Sequence, residues 1–239
     1  MTICLVGSEM CIRDRVEGNG QRELTESILG IYPLSQGTIT VDGINIDNMA
    51  TRQRRSLGIN FIPEDRQTQG LVMDNSLIEN AMLGRQNKDM YKTRFKSVNF
   101  KNSRKFSNKI IDQYDVRTPN SSTLALALSG GNQQKFVVGR ELEDNPSLLV
   151  ASQPTRGIDI GAQSLIWEEL REARDAGLGV LLISADLEEL LGLSDRLLVM
   201  YEGKIVKELL PEDATPELLG AYMTGLKSVS YTHLTLPTK

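Results

Sequence analysis

A serine and two glycines stand where a helix is predicted to begin. The string is LSGGNQQK, Leu128 to Lys135, and Ser129 can cap a helix from Gly130 to Leu142. Because glycine carries no side chain, backbone N–H groups there can approach an anion closely, and the helix dipole favours negative charge. An ordinary capped helix with a flexible entry has the same pattern, so both interpretations stay open on these residues alone.

Three more segments carry candidate site residues, and all four occur in a fixed order. A turn-prone stretch followed by a helix reads VEGNGQREL, Val16 to Leu24, and the string IPEDRQTQGL runs from Ile62 to Leu71. About twenty residues after the LSGG string, a buried strand and a loop read LLVASQPTRGID, Leu148 to Asp159. The order and spacing of four motifs are far more specific than any single one.

Together the four segments resemble the motifs of ABC ATPases, and the resemblance covers Val16 to Gly225. LSGGNQ is similar to the signature motif, LLVASQPTRGID to the Walker B strand and D-loop, IPEDRQTQGL to the Q-loop region, and VEGNGQREL to the end of the Walker A loop. The resemblance implies a P-loop NTPase-like α/β fold. This fold would have a parallel-sheet core, a partial antiparallel β subdomain and an inserted helical subdomain at about 76–142.

Variants of the motifs narrow the resemblance to importers. The strings PEDR, GGNQQK, PTRGID and Met223-Thr224-Gly225 are similar to the second ABC half of monosaccharide importers, whereas VEGNGQ, ASQPTRG and DVRTP (Asp115 to Pro119) lean towards nucleoside importers. The resemblance implies the C-terminal half of a two-half polypeptide, with ATP and Mg²⁺ in the assembled complex. It implies as partners a second ABC half, a transmembrane permease and, indirectly, a substrate-binding protein, with peripheral placement on the cytoplasmic face of the cell membrane.

The residues that would hydrolyse ATP in this half differ from the family pattern. The lysine and hydroxyl positions of the Walker A loop hold Gln21 and Arg22, and the loop's first glycine would fall on Arg15. A neutral amide cannot replace an ammonium against several phosphate charges, although Arg22 could still contribute positive charge. The resemblance implies these nucleotide-binding positions: Gly18, Asn19, Gly20, Gln21, Arg22, Glu64, Ser152 and Asp159.

The catalytic positions are also altered. Ser152 and Gln153 hold the Walker B Asp and Glu positions, Ala185 holds the histidine position, and Glu64 replaces the Q-loop glutamine. Gln153 cannot accept a proton and Ala185 offers no polar group, so we expect a degenerate, inactive site with no metal of its own. The intact signature implies contacts in trans with a partner's nucleotide from Leu128, Ser129, Gly130, Gly131, Asn132 and Gln133.

Composition limits the alternatives. The 239 residues are 40% hydrophobic and 24% charged, which is ordinary for a globular domain, and the net charge of −4 gives no reason to expect nucleic acid as a partner. Both cysteines, Cys4 and Cys11, lie near the start, so the rest of the chain has no thiolate site, and no apolar run is long enough to cross a bilayer. Two rivals remain: a non-catalytic scaffold on a permease, and a non-transport ABC ATPase.

Periodicity predicts strands that alternate with helices, hence a mainly parallel sheet covered on both faces. The predicted strands are Thr38–Val41, Ile44–Ile46, Ile59–Ile62, Leu148–Ala151, Val180–Ser184, Leu197–Tyr201 and Lys204–Leu209. The predicted helices are Gln21–Leu29, Ser76–Leu83, Phe106–Tyr114, Gly130–Leu142, Ala162–Ala176, one from Asp186 to Leu191 and one after Thr215.

The two ends read differently from the body. The head (1–15, with CLVGSEMCIRDR) and the tail (229–239, VSYTHLTLPTK, with the single histidine His233) resemble translated sequencing-adapter DNA. Neither end shows a helical or strand period that continues into its neighbour. We therefore expect 16–228 to be a truncated ABC nucleotide-binding domain, and both ends to pack poorly.

Overall fold

The computed structural model describes residues 2–5, 10–13, 19–86, 88–92 and 98–224. The chain divides into two compact units. Unit 1 comprises residues 1–61, 146–153 and 170–239, and unit 2 comprises 62–145 and 154–169. The tail, His233 and Gly18 lie outside the described residues.

Nine strands are described, and six of them form the main sheet. The strands are β1 Thr2–Leu5, β2 Met10–Arg13, β3 Thr38–Val41, β4 Ile44–Asn45, β5 Ile59–Ile62, β6 Leu148–Ser152, β7 Gly179–Ser184, β8 Leu197–Tyr201 and β9 Lys204–Leu209. The main sheet has the order β5-β6-β7-β2-β8-β9; β2 and β6 pair in parallel with β7, β2 also pairs in parallel with β8, and β9 is antiparallel to β8. The predicted parallel core is confirmed.

The strands of the head correct one expectation. Met10–Arg13 lies between β7 and β8, with Cys11 opposite Leu182 on one side and Leu197 on the other. Thr2–Leu5 pairs in parallel with β3, and β3 pairs antiparallel with β4 across the tight turn at Asp42 and Gly43. The absence of an alternating period did not exclude strands here, because a strand inside a parallel sheet is defined by the backbone pairing with its neighbours. The adapter origin of the head stays a prediction.

Eight α-helices are described. They are α1 Gln21–Leu29, α2 Thr51–Ser56, α3 Leu77–Ala81, α4 Phe100–Gln113, α5 Gly130–Leu142, α6 Ile160–Asp175, α7 Leu187–Leu193 and α8 Pro216–Met223. The boundaries of α1 and α5 are those predicted, and Asp186 caps α7 as expected; Ser76 and Thr215 also prove to be N-caps, of α3 and α8. The start of α4 was predicted six residues late because Lys101 to Lys105 is polar, and the short polar helix α2 was missed.

The core of unit 1 fixes α1 against the sheet. Ile28 and Leu29 of α1 are buried with residues of β3, β5, β6, β7 and β8. Arg54 of α2, only 2% exposed, donates to the carbonyl groups of Ser27 and Ile28 at the end of α1 and to those of Met49 and Asp47. Burial lowers the pKa of this guanidinium. A single buried side chain therefore satisfies carbonyls that the end of α1 leaves open.

In unit 2, α3 and α4 pack near α5. Tyr114 at the end of α4 approaches Gly139 so closely that an added Cβ there would lie 2.5 Å from the ring. Arg85, 1% exposed, donates to Glu141 Oε2 over 2.9 Å and to the carbonyl of Arg140 over 2.7 Å. A buried charge requires such pairing, so these contacts fix the body of α5, whose first turn carries the signature string.

Candidate functional site: two loops at helix starts

In unit 1, the end of the VEGNGQ string leads directly into α1. Gly20 caps the helix with φ 102°, and no side chain caps this helix start. A Cβ at Gly20 would lie 2.9 Å from Cα of Gly203, so only glycine fits. Asn19 holds the turn, because its Oδ1 and carbonyl oxygen accept the N–H groups of Glu202 and Gly203 over 3.0 and 2.8 Å. Asn19 and Gly20 therefore fix the entry into α1.

The side chains that follow do not match a phosphate site. Gln21 is 9% exposed, and its Nε2 is buried without a hydrogen-bond partner among the described residues. Arg22 is exposed, and its Nε donates to Glu26 Oε1 over 2.8 Å; this bond raises the pKa of the Arg22 guanidinium. The charge of Arg22 is therefore already paired along the surface of α1.

The end of β6 carries Ser152 and Gln153, which the resemblance assigns to two catalytic positions. Gln153 has φ 50°, and its backbone N–H donates to the carbonyl of Ile183 over 2.7 Å. Its side-chain Oε1 accepts the N–H of Ala185 over 3.2 Å. The structure thus brings Ser152, Gln153 and Ala185 together at the ends of β6 and β7. The side-chain oxygen Oε1 of Gln153, which could orient a water molecule, instead accepts a hydrogen bond from the backbone of Ala185.

These positions do not fit a magnesium ion. Mg²⁺ is usually bound by carboxylate and phosphate oxygens together with water. At the positions that the family pattern assigns to the metal, unit 1 offers the guanidinium of Arg22, which repels a cation, and the neutral hydroxyl of Ser152. Within the described residues, no group of three or more His, Cys, Asp or Glu side chains could hold a metal ion.

In unit 2, the signature string begins α5 as predicted. Ser129 is the N-cap, and its Oγ accepts from the backbone N and from Nδ2 of Asn132 over 3.4 and 2.9 Å. Gln133, 2% exposed, donates to the carbonyl groups of Ala125 and Leu128 over 3.1 and 3.2 Å. Gln133 therefore supports the loop from behind, which is a structural role that the sequence did not reveal.

Asp159 lies beside the glycines of the signature. A Cβ at Gly131 would be 2.9 Å from Asp159 Oδ2. Asp159 Oδ1 accepts the N–H of Ala162 over 3.0 Å at the start of α6, and this bond holds the pKa of Asp159 below its ordinary value. The structure thus brings Asp159 to the signature loop within unit 2, with its carboxylate ionised.

Glu64 is paired in unit 2. It forms an ion pair with Arg156, and both side chains are about half exposed. Two residues after Glu64, Arg66 donates to the carbonyl groups of Arg156 and Gly157 over 2.9 and 3.3 Å. Neither arginine was selected from the sequence as a site residue. The signal was present in the PEDR and PTRG strings, but a sequence does not show which carbonyl groups an arginine reaches.

The fold and these loops define an ATP-binding cassette. The family model for ABC transporters matches residues 17–156, and the chain belongs to this family. It is 45% identical over 213 residues to the guanosine import ATP-binding protein NupO of Bacillus subtilis, covering 88% of this chain and 41% of that protein. It is 44% identical over 215 residues to a glucose import ATP-binding protein of Haloferax volcanii, covering 88% and 38%.

A solved structure supports the same fold. A nucleotide-free ATP-binding cassette from an ABC transporter superposes with a TM-score of 0.72 at 22% identity, covering 90% of this chain and 87% of that one. By contrast, the chain spans about two fifths of the length of the import proteins that it matches. Among the described residues, no helix is long and apolar enough to cross a membrane.

Proposed function

We propose that this chain is one nucleotide-binding half of an ABC importer, and that it completes the ATP site of a partner half through its signature loop. Its own Walker A side forms a degenerate site that does not hydrolyse ATP. The observation that carries the proposal is the contrast between the two helix starts: Ser129, Gly130 and Gly131 are intact and supported, whereas Gln21, Gln153 and Ala185 lack the required chemistry.

The arrangement of two halves follows from this contrast. In the family, two halves pair head to tail, and each nucleotide lies between the Walker A loop of one and the signature of the other. The relatives are more than twice as long as the matched segment, which leaves room for a second ABC half on the same polypeptide. ATP with Mg²⁺ would then be held by the partner's Walker A loop, with the N–H groups at the start of α5 facing the γ-phosphate.

The transported substrate is a nucleoside or a simple sugar. The names of the relatives support both classes, since one imports guanosine and another imports glucose. The remaining partners would be a transmembrane permease and, indirectly, a substrate-binding protein, which select the substrate. The half would be peripheral, at the cytoplasmic face of the membrane.

The rival function is a non-catalytic scaffold on the permease, which the degenerate residues of unit 1 would equally permit. A two-half chimera distinguishes the scaffold from the catalytic partner. In the chimera, this chain replaces the segment of the guanosine import protein that it matches. The chimera is then assembled with the membrane subunits of that importer. Ser129→Leu removes the cap and the hydroxyl at the signature, so we expect ATP turnover to fall at least about tenfold. Ser122→Leu, at an exposed serine of the same unit, is the matched control. Turnover that is equal in both variants would support the scaffold.

A further inference from the structure

The side chain of Arg66 joins three segments of unit 2. Arg66 opens a short π-helical turn, Arg66–Gly70, which is capped by the side chain of Asp65. From there its Nη1 donates to the carbonyl of Arg156 over 2.9 Å, and its Nη2 to the carbonyl of Gly157 over 3.3 Å. The guanidinium thus fixes two consecutive peptide groups of the turn that precedes Asp159.

The same guanidinium lies against the signature loop. A Cβ added to Gly130 would be 2.6 Å from Arg66 Nη2 and 3.7 Å from the carbonyl oxygen of Gly157. A Cβ atom cannot lie as close as this to a nitrogen atom. Because Gly130 has no side chain, the guanidinium of Arg66 can lie against the first turn of α5. Arg66 Nε is buried here and has no hydrogen-bond partner among the described residues.

Neighbouring contacts reinforce the arrangement. Glu64, also in the PEDR string, pairs with the side chain of Arg156. Gln134 of α5, 2% exposed, donates to the carbonyl of Pro154 over 2.7 Å. The turn before Asp159 is therefore held from both the PEDR segment and α5, and the side chain of Arg66 lies against both the turn and α5.

We propose that Arg66 is a positioning residue for the ATP site of the partner half. It sets the orientation of the signature glycines relative to the turn at Arg156 and Gly157. This inference rests on the proposed function, because the signature acts there on a nucleotide held by the partner. Donors stabilise a developing charge only when they are fixed before the reaction, so loss of Arg66 weakens the site without removing any group that touches ATP.

The test uses the two-half chimera and measures steady-state ATP turnover over a range of ATP concentrations. In Arg66→Ala, two charge-assisted hydrogen bonds disappear, and we expect kcat/KM for ATP to fall about tenfold. Much of the loss is a higher KM, because a loosened signature binds the γ-phosphate less well. The affinity for ADP, which has no γ-phosphate, stays within about twofold of the original. A mere loss of folded protein would lower kcat at unchanged KM.

Two further variants sharpen the result. Arg66→Lys keeps the charge and one donor, so we expect it to recover part of the lost kcat/KM. Arg104→Ala removes an exposed arginine of α4, so we expect it to leave kcat and KM unchanged. Normal kinetics in Arg66→Ala, while Ser129→Leu is impaired, would overturn the positioning role alone. Normal kinetics in Ser129→Leu would overturn the proposed function itself. A fall in kcat at constant KM, with no recovery by lysine, would assign Arg66 to folding and contradict the inference.

Discussion

The side chain of Gln153 is hydrogen-bonded to the backbone of Ala185, with Oε1 accepting the N–H over 3.2 Å. The resemblance of the motifs assigns to these positions the glutamate that polarises water and the histidine near the γ-phosphate. Here they form a structural link between the ends of β6 and β7, which supports the proposal that this half does not hydrolyse ATP by itself.

We therefore expect the purified chain to release negligible phosphate from ATP. Restoring Gln153→Glu alone should not rescue activity, because groups that act as one unit are grossly non-additive and Gln21, Ser152 and Ala185 remain altered. The measurement is phosphate release at increasing chain concentration, with a hydrolysis-competent ABC cassette as the control. Turnover that scales with the chain and disappears in Gln153→Ala would contradict this prediction.

Arg54 provides a test of how α1 is held. Arg54→Ala leaves the carbonyl groups at the end of α1 unpaired and opens a cavity, so we expect a loss of about 3 kcal/mol in the free energy of unfolding. The control is Arg52→Ala on the same short helix, where the side chain is exposed. Urea unfolding of both variants gives the comparison, and equal midpoints would show that α1 does not depend on Arg54.

Asp159 should make stability depend on pH. Its pKa lies below the ordinary 3.8, chiefly because the N–H of Ala162 donates to it. A lowered folded pKa contributes stability that is fully present above 3.8 and is lost as pH falls through the folded value. Asp159→Asn should therefore be less stable than the original at pH 7, and the difference should shrink below about pH 4.

The control for Asp159 is Asp175→Asn. Asp175 is an exposed residue at the other end of α6, where a negative charge is unfavourable, and its exposed ion pair with Arg174 contributes little, so this variant should lose little stability at pH 7. Thermal unfolding at a series of pH values measures both. A difference for Asp159→Asn that stays constant from pH 7 to pH 2 would mean that its charge plays no part.

The head and the tail should respond differently to deletion. Removing residues 1–15 takes β2 from between β7 and β8 and leaves both strands with open edges, so the midpoint of thermal unfolding should fall strongly. Residues 229–239 show no periodic pattern of apolar residues, so removing them should change the midpoint of thermal unfolding little. An unchanged midpoint after the first deletion would show that the paired head is not part of the fold.

The sequence predicted the fold well where local chemistry determines it. Ser129 and two glycines defined the start of α5 to the residue, and the strands Leu197–Tyr201 and Lys204–Leu209 have the predicted bounds. Prediction from the sequence failed where contacts between distant segments determine the secondary structure. Met10–Arg13 is a strand through its neighbours in the sheet, and α2 forms around the buried Arg54, whose partners lie up to 27 residues away.

The candidate site divides in the same way. The resemblance to the family pattern assigns residues of the sequence to the motif positions, and this assignment stays a prediction. What those residues contact could not be read from the sequence: the bond from Ala185 to Gln153, the ion pair of Glu64 with Arg156 and the reach of Arg66 to Gly157 each join segments far apart in the chain.

The central claim is that ATP is hydrolysed at the site this half completes for its partner, and not at its own. Gly131→Asp in the two-half chimera places a carboxylate where the backbone must approach the γ-phosphate, and beside Asp159, whose Oδ2 is 2.9 Å from the new Cβ. Like charge near phosphate in a water-poor interface should lower turnover on the order of a hundredfold or more. Gln153→Ala, on the degenerate side, should change it by less than about threefold.

The direct measurement is therefore ATP turnover by these two variants side by side, with thermal unfolding confirming that both are folded. A near-complete loss in Gly131→Asp together with near-normal turnover in Gln153→Ala is the predicted result. Normal turnover in Gly131→Asp with a dead Gln153→Ala would contradict the account, because the active and the degenerate sites would then be the reverse of those proposed.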